Sequence, residues 1–240
     1  MAGIIIFEGP SALDGAPIVI IATDNSANAK TGDMIQTWIL RADVPPHVAA
    51  MDGRDASICG TCPHRLDHAT GKRTCYVSTW RAPLSVFSAY QRGAYQRATL
   101  AQARAFARGR IVRLGAYGDP LAGPLAVWRN FVRDAAGRTG YTHAWQGLKG
   151  SRALAWRALV MASADSVAEA EAAHRAGWRT FRVRRDDYVM PTERACPASA
   201  EAGKLATCAQ CRACSGADGR HSLGIAILDH GPGWRQRVAA

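Results

Sequence analysis

Short apolar runs separated by polar, glycine-marked turns set the pattern of this chain, and after residue 80 runs of strand period alternate with runs of helical period. Ile18 to Ala22 and Met34 to Leu40 are strand-like. Pro83 to Arg108 reads as one long helix, with Leu84, Phe87, Tyr90, Tyr95, Leu100 and Phe106 loosely at helical spacing and Gly109 as its stop. Arg110 to Ala116 is a β-rich run, Pro124 to Ala136 a second helix ending at Gly137, and Gly140 to Trp145 and Arg157 to Ala162 are further strands. Ser166 and Glu169 form an S-x-x-E capping box that opens a helix running to Arg175, with Gly177 at its C-terminal cap. Thr180 to Val183 and Leu223 to Leu228 complete the strands.

Strands joined by helical connections imply parallel β/α units. Polar residues collect just after the strands: Tyr117, Gly118 and Asp119, then His143 and Trp145, then Ser163 and Asp165, then Arg185, Asp186 and Asp187. In β/α barrels the loops at the C-terminal strand ends build one shared mouth, although βα loops are polar in any α/β protein. The expected fold is α/β: a partial (β/α) barrel of mostly parallel strands with a small metal-stapled C-terminal segment. The chain reads as a single domain, 1–240. Strands and a first cysteine loop occupy 1–80, β/α units 81–194, and a second cysteine cluster with a closing strand 195–240.

Composition adds a globular balance, 48 % hydrophobic and 20 % charged, with a formal net charge of +11. Lysine occurs only at 30, 72, 149 and 204, so arginine carries most of the charge. A nucleic-acid or phosphate-bearing partner and the arginine enrichment of a GC-rich genome explain this equally well. No apolar run approaches the ~20 residues of a membrane span, and no secretory signal is apparent, which points to a cytoplasm, of a phage-infected or bacterial host, and to reduced thiols.

The seven cysteines fall into two sets: Cys59, Cys62 and Cys75, then Cys196, Cys208, Cys211 and Cys214. Cys208-x2-Cys211-x2-Cys214 with a remote Cys196-Pro197 matches the ligand pattern of a bacterial-ferredoxin [4Fe–4S] cluster. Zinc is the competing occupant. For the first set, a closed Cys3His zinc site using His64 or His68 competes with a three-thiolate [4Fe–4S] cluster that has one open iron.

The order of parts resembles the radical S-adenosylmethionine (SAM) superfamily. It runs strand, three-cysteine loop, long helix, a strand ending in the glycine/acid turn Gly115-Ala-Tyr-Gly-Asp-Pro120, further βα units, then a C-terminal cluster. The cysteine spacing, two and then twelve residues, is a variant of the usual Cys-x3-Cys-x2-Cys. The resemblance implies that Cys59, Cys62 and Cys75 hold a [4Fe–4S] cluster whose open iron chelates SAM, and that an electron donor feeds it. It further implies that Gly115, Gly118 and Asp119 meet the methionine amino group, that Ser163 and Asp165 meet the ribose, and that Tyr76 packs on adenine. The second cluster would pass electrons or grip a substrate, which the basic charge suggests is a nucleic acid, a nucleotide or another anion. The Cys-Pro…Cys-Tyr loop with a terminal cysteine cluster is also similar to uncharacterised phage-encoded proteins. The alternative from a different class is a non-enzymatic, zinc-binding, nucleic-acid-binding phage accessory protein. A hydrolase would need a carboxylate site, for which Asp119, Asp165, Asp186 and Asp187 are the obvious residues.

Three further groups have two readings each. The polar stretch Asp24, Asn25, Ser26, Asn28, Lys30, Thr31 and Asp33 is a substrate contact or a solvated loop. His143 and Trp145 are substrate contacts or packed structural residues. Arg182, Arg184 and Arg185 are a phosphate clamp or a solvent-facing strand edge.

Overall fold

A computed structural model describes residues 2–24, 28–217 and 219–229. Three N-terminal strands, β1 (Gly3–Pro10), β2 (Pro17–Thr23) and β3 (Ile35–Arg41), form an antiparallel meander, β1 against β2 and β2 against β3. Helices α1 (Pro46–Asp52) and α2 (Ala56–Cys59) follow, and then a two-stranded ribbon, β4 (Leu66–Asp67) and β5 (Lys72–Arg73), inside the first cysteine loop. Next come α3 (Ala82–Gln91), the short edge strand β6 (Gln96–Arg97) and α4 (Leu100–Ala107). The β/α units are β7 (Ile111–Tyr117), α5 (Leu125–Phe131), β8 (Gly137–Thr142), α6 (Gly150–Arg157), β9 (Met161–Ala164), α7 (Val167–Arg175) and β10 (Thr180–Arg184). The chain closes with β11 (Glu193–Ala195), the one-turn helix α8 (Cys208–Cys211) and β12 (Gly224–Leu228).

One ten-stranded sheet takes the order β11-β12-β10-β9-β8-β7-β3-β2-β1-β6. From β3 to β11 every neighbouring pair is parallel. The fold is thus α/β with a mostly parallel sheet, as the strand–helix alternation predicts. Alternation along β7 shows how its two faces are used. Val112 and Leu114 pack in the main core with Ala103, Ala107, Trp128, Phe131 and Trp156, whereas Arg113 and Gly115 line a cavity on the other face; at the strand end Ala116 and Tyr117 meet both. Arg113, Tyr141, Phe181 and Ile227, from four strands between β7 and β12, line that same cavity of about 470 Å³. At ~4.8 Å per strand, β7 to β12 span roughly 19 Å, so this one cavity runs along the parallel half of the sheet.

The long helix expected over 83–108 is two helices. Gly93 adopts φ +70°, the chain pairs briefly as β6, and Thr99 restarts a helix through a capping box with Gln102. That T-x-x-Q signal overrides the loose apolar period. The helix expected over 124–136 ends at Phe131, and β8 already begins at Gly137. The strand expected over 157–162 is the end of α6 followed by β9. At α7 the Ser166 hydroxyl accepts from Glu169 N at 3.1 Å, but the Glu169 carboxylate reaches one residue further back, to Asp165 N at 2.7 Å.

Candidate functional site

All seven cysteines line the one cavity between the sheet and the two cysteine segments, and none is paired in a disulfide. The first set is gathered by a closed loop. Cys59 ends α2, Cys62 N donates to Cys59 O at 3.2 Å, and Cys75 N donates to His64 O at 2.9 Å. The β4–β5 ribbon accounts for the twelve-residue gap, because it carries the chain out and back so that the third thiol rejoins the first two. Arg65 pins the loop, with Nε 2.7 Å from the buried Asp55 carboxylate and two further bonds to Gly53 O and Gly60 O. Burial pushes the Cys59 thiol well up, and the charges of Asp55, Cys62, Cys75 and Asp119 add to that.

The second set is assembled from three directions. Cys196 N donates to Ala226 O of β12 at 2.8 Å, Cys208 N to Lys30 O at 2.9 Å, and Gly140 N of β8 to Cys214 O at 3.2 Å. Arg179 clamps the segment through Ala213 O, Gly216 O and Leu223 O. Arg212, at φ +54°, turns the chain between Cys211 and Cys214. Burial raises Cys214 to about 12; the Tyr141 hydroxyl opposes this and the neighbouring Cys196, Cys208 and Cys211 reinforce it. The polar stretch before β3 therefore has a structural task that sequence reasoning missed: Lys30 and Thr31 carbonyls hold the start of α8. Asn25 and Ser26 lie outside the described residues.

Among the described residues, the ligand atoms of His64, His143 and Asp165 close to within 4.8 Å of one another, and neither cysteine set is drawn that tight. One tetrahedral zinc with bonds of ~2.3 Å holds its thiolates about 3.8 Å apart. A cubane gives each thiolate a different iron and holds them wider. Three thiols in one set and four in the other are donors that both cluster iron and zinc accept. Both ring nitrogens of His64 are engaged, with Nδ1 2.8 Å from Thr74 Oγ1 and Nε2 2.9 Å from Asp165 Oδ1. His68 is exposed.

The glycine/acid turn ends β7 beside the first cysteine set, and Gly115 to Asp119 all line the cavity. Gly115 and Gly118 have φ of +70° and +86°, and a Cβ on Gly118 would lie 2.7 Å from Ile39 Cβ. The turn therefore needs glycine for backbone conformation and for its approach to β3. Asp119 is buried, and its carboxylate is engaged: Oδ1 accepts from Leu121 N at 2.9 Å, and Oδ2 from Thr142 Oγ1 at 2.9 Å and His143 N at 3.0 Å. It ties the end of β7 to the end of β8.

Asp165 holds two imidazoles, His64 at 2.9 Å and His143 at 3.3 Å, whose rings meet edge to face at 5.6 Å. Burial disfavours the imidazolium of His143, but bonds to Asp165 and Cys62 outweigh it and raise the group to about 10. Burial likewise opposes the Asp165 carboxylate, yet the two histidines hold it well below the usual range. Ser163 lines the cavity, and its carbonyl accepts from Trp145 Nε1 at 2.9 Å, so the indole is a packed structural group. Tyr76 lines the cavity at its exposed side and accepts from Arg113 Nη2 at 2.7 Å. Arg113 reaches into the cavity from β7 and has no ion-pair partner among the described residues. Sequence reasoning did not single it out; its position inside an otherwise apolar strand run is the signal that could have.

The three arginines after β9 divide differently from a clamp. Arg182 is buried and ion-paired with Glu193 at 2.8 Å, Arg184 is buried against Glu201 and Asp186, and only Arg185 is exposed. Asp186 and Asp187 are exposed and away from the cavity. Among the described residues no helix is long and apolar enough to cross a membrane. No protein-family model, curated protein or solved structure matches the chain.

Proposed function

We infer that this chain is an iron–sulfur enzyme of radical-SAM type acting on an anionic substrate. The observation that carries the reading is the convergence of all seven unpaired cysteines, three from one loop and four from another, on a single cavity along the parallel half of the sheet. Cys59, Cys62 and Cys75 would hold a cluster with one open iron. Cys196, Cys208, Cys211 and Cys214 would hold a fully ligated one. A [4Fe–4S] cluster held by Cys59, Cys62 and Cys75, with an external electron donor, would supply the single electron that reductive cleavage of SAM requires.

The chain's own residues would do the positioning. The backbone of the Gly115–Gly118 turn presents polar groups beside the first cysteine set and is the surface for the amino-acid end of SAM. Asp119 acts one step back, fixing that turn through Leu121, Thr142 and His143. Ser163 and Tyr76, on the cavity wall, are the surfaces for ribose and adenine. Asp165 is committed to His64 and His143, which leaves the ribose to Ser163. The guanidinium of Arg113, bonded to the Tyr76 hydroxyl and without a carboxylate partner among the described residues, suits a carboxylate or phosphate of the substrate, since a planar fork pairs such groups bidentately.

The test is SAM cleavage by anaerobically reconstituted protein with a chemical reductant. Formation of 5′-deoxyadenosine that Cys75→Ala abolishes supports the reading, and formation that Cys75→Ala leaves unchanged refutes the ligand assignment. The net charge of +11 favours one second reading, a zinc-containing nucleic-acid-binding protein. That reading requires colourless protein and nucleic-acid binding that weakens steeply with salt.

A further inference from the structure

Beside the cysteine sets the cavity wall carries a donor set of another kind. His64 comes from the first cysteine loop, His143 follows β8 and Asp165 follows β9, so three separate segments deliver one side chain each to one point. We propose that His64, His143 and Asp165 form a mononuclear site for a first-row divalent cation of the zinc or iron(II) class, with ligands other than the cysteines. It adjoins the first cysteine set, because His143 also bonds to Cys62.

Ligand spacing is the first argument. His64 Nε2 lies 2.9 Å from Asp165 Oδ1, and His143 Nε2 lies 3.3 Å from Asp165 Oδ2. Ligands about 2.1 Å from one metal stand roughly 3.0 to 3.4 Å apart in octahedral or tetrahedral geometry. The two histidine–carboxylate separations, each to its own oxygen of Asp165, already match that spacing, and the three ligand atoms lie within 4.8 Å of one another.

Donor chemistry is the second. Two imidazole nitrogens and one carboxylate make the two-histidine, one-carboxylate set that suits zinc or iron(II), whereas thiolates select cluster iron and softer metals. Both histidines line the cavity, so coordination positions left open by three protein ligands face the chamber that holds the thiols.

Support behind the ligands is the third. His64 Nδ1 is 2.8 Å from the Thr74 hydroxyl, which fixes the ring and leaves Nε2 for the site. Asp165 is held by its main chain, whose N–H donates to Glu169 Oε2 at 2.7 Å. Outer partners of this type orient metal ligands, and losing one typically costs 10- to 100-fold in affinity. A bound cation would also fasten the first cysteine loop to the ends of β8 and β9.

The site is tested with cobalt(II), using the full-length protein after anaerobic cluster reconstitution and desalting. Bound cobalt is counted by mass spectrometry, and its ligand field is read from the visible spectrum. The expected result is one cobalt per chain with nitrogen and oxygen ligation. Asp165→Asn and His64→Ala should each weaken binding at least tenfold, Thr74→Val should weaken it several-fold, and His68→Ala should leave it unchanged. No stoichiometric cobalt, a sulfur-to-metal charge-transfer band that Asp165→Asn abolishes, loss of the Asp165-dependent cobalt in Cys59→Ser, or full binding by folded Asp165→Asn would each overturn the proposal. Iron and sulfide, measured on the same samples, report the cluster reading separately, so the two can fail independently.

Discussion

Replacing Glu193 with glutamine probes the arrangement that carries the second cysteine set. Glu193 opens β11, three residues before Cys196, and its side chain is fully buried. Its carboxylate accepts from Arg182 Nε at 3.0 and 3.1 Å, from Arg182 Nη2 at 2.8 Å and from Met190 N at 3.2 Å. Arg182 itself is only 3 % exposed. Glutamine keeps the shape but removes the charge, and its amide points a donor at a donor. The guanidinium is then buried without its counter-charge, which costs about 3–5 kcal/mol. At ~2–4 °C per kcal/mol for a chain of this size, the melting temperature should fall by roughly 6–20 °C. The double variant Arg182→Met/Glu193→Leu should recover most of that loss, because an apolar pair of similar volume does without the desolvation of both ions. Urea and thermal unfolding of the three proteins, followed by circular dichroism, give the answer. A loss below ~1 kcal/mol in Glu193→Gln, or a double variant as unstable as the single one, would refute the buried pairing of β10 with β11 across β12.

The remaining predictions concern the cavity wall. In metal-free protein His143 is raised from 6.5 to about 10, so the stability it contributes is complete below pH 6.5 and is lost as pH rises toward 10. The unfolding free energy should therefore fall by up to ~1.4 kcal/mol per pH unit between pH 6.5 and about 8.5, before free thiols titrate. Asp165→Asn should flatten that slope, and an unchanged slope would show that the pair is not formed. Gly118→Ala places a Cβ 2.7 Å from Ile39 Cβ at a φ of +86°, and should destabilise the protein by more than ~1 kcal/mol. Gly71→Ala, with φ +67° and open space around it, keeps the backbone cost without the clash and should be the milder of the two in urea midpoint.

Much of the fold was legible because β/α units write themselves locally. The apolar run from Ile111 and the cap at Ser166 needed no tertiary information, and the order of segments implied a parallel sheet. The failures have physical causes. Gly93 and the Thr99 capping box divide a segment whose apolar spacing alone reads as one helix. Arg182 and Arg184 look like exposed strand arginines until their partners, Glu193 and Glu201, arrive from later in the chain. The cysteine sets were visible as spacings, but their meeting in one cavity depends on bonds from the second set to Lys30, Gly140 and Ala226, far apart in the chain. The approach of His64 to Asp165 spans 101 residues, and no local pattern encodes it. Asp119 was singled out as a contact of the methionine amino group, whereas its carboxylate accepts from Leu121, Thr142 and His143, which arrive from later in the chain.

The central claim is that the two cysteine sets hold iron–sulfur clusters, and the most direct measurement is iron, sulfide and zinc content together with the visible spectrum of anaerobically purified protein. The account predicts brown protein with a broad band near ~400 nm and about eight irons per chain, falling to about four when Cys75 or Cys208 is replaced by alanine. Colourless protein that holds zinc at its cysteines and takes up no iron on reconstitution would contradict it.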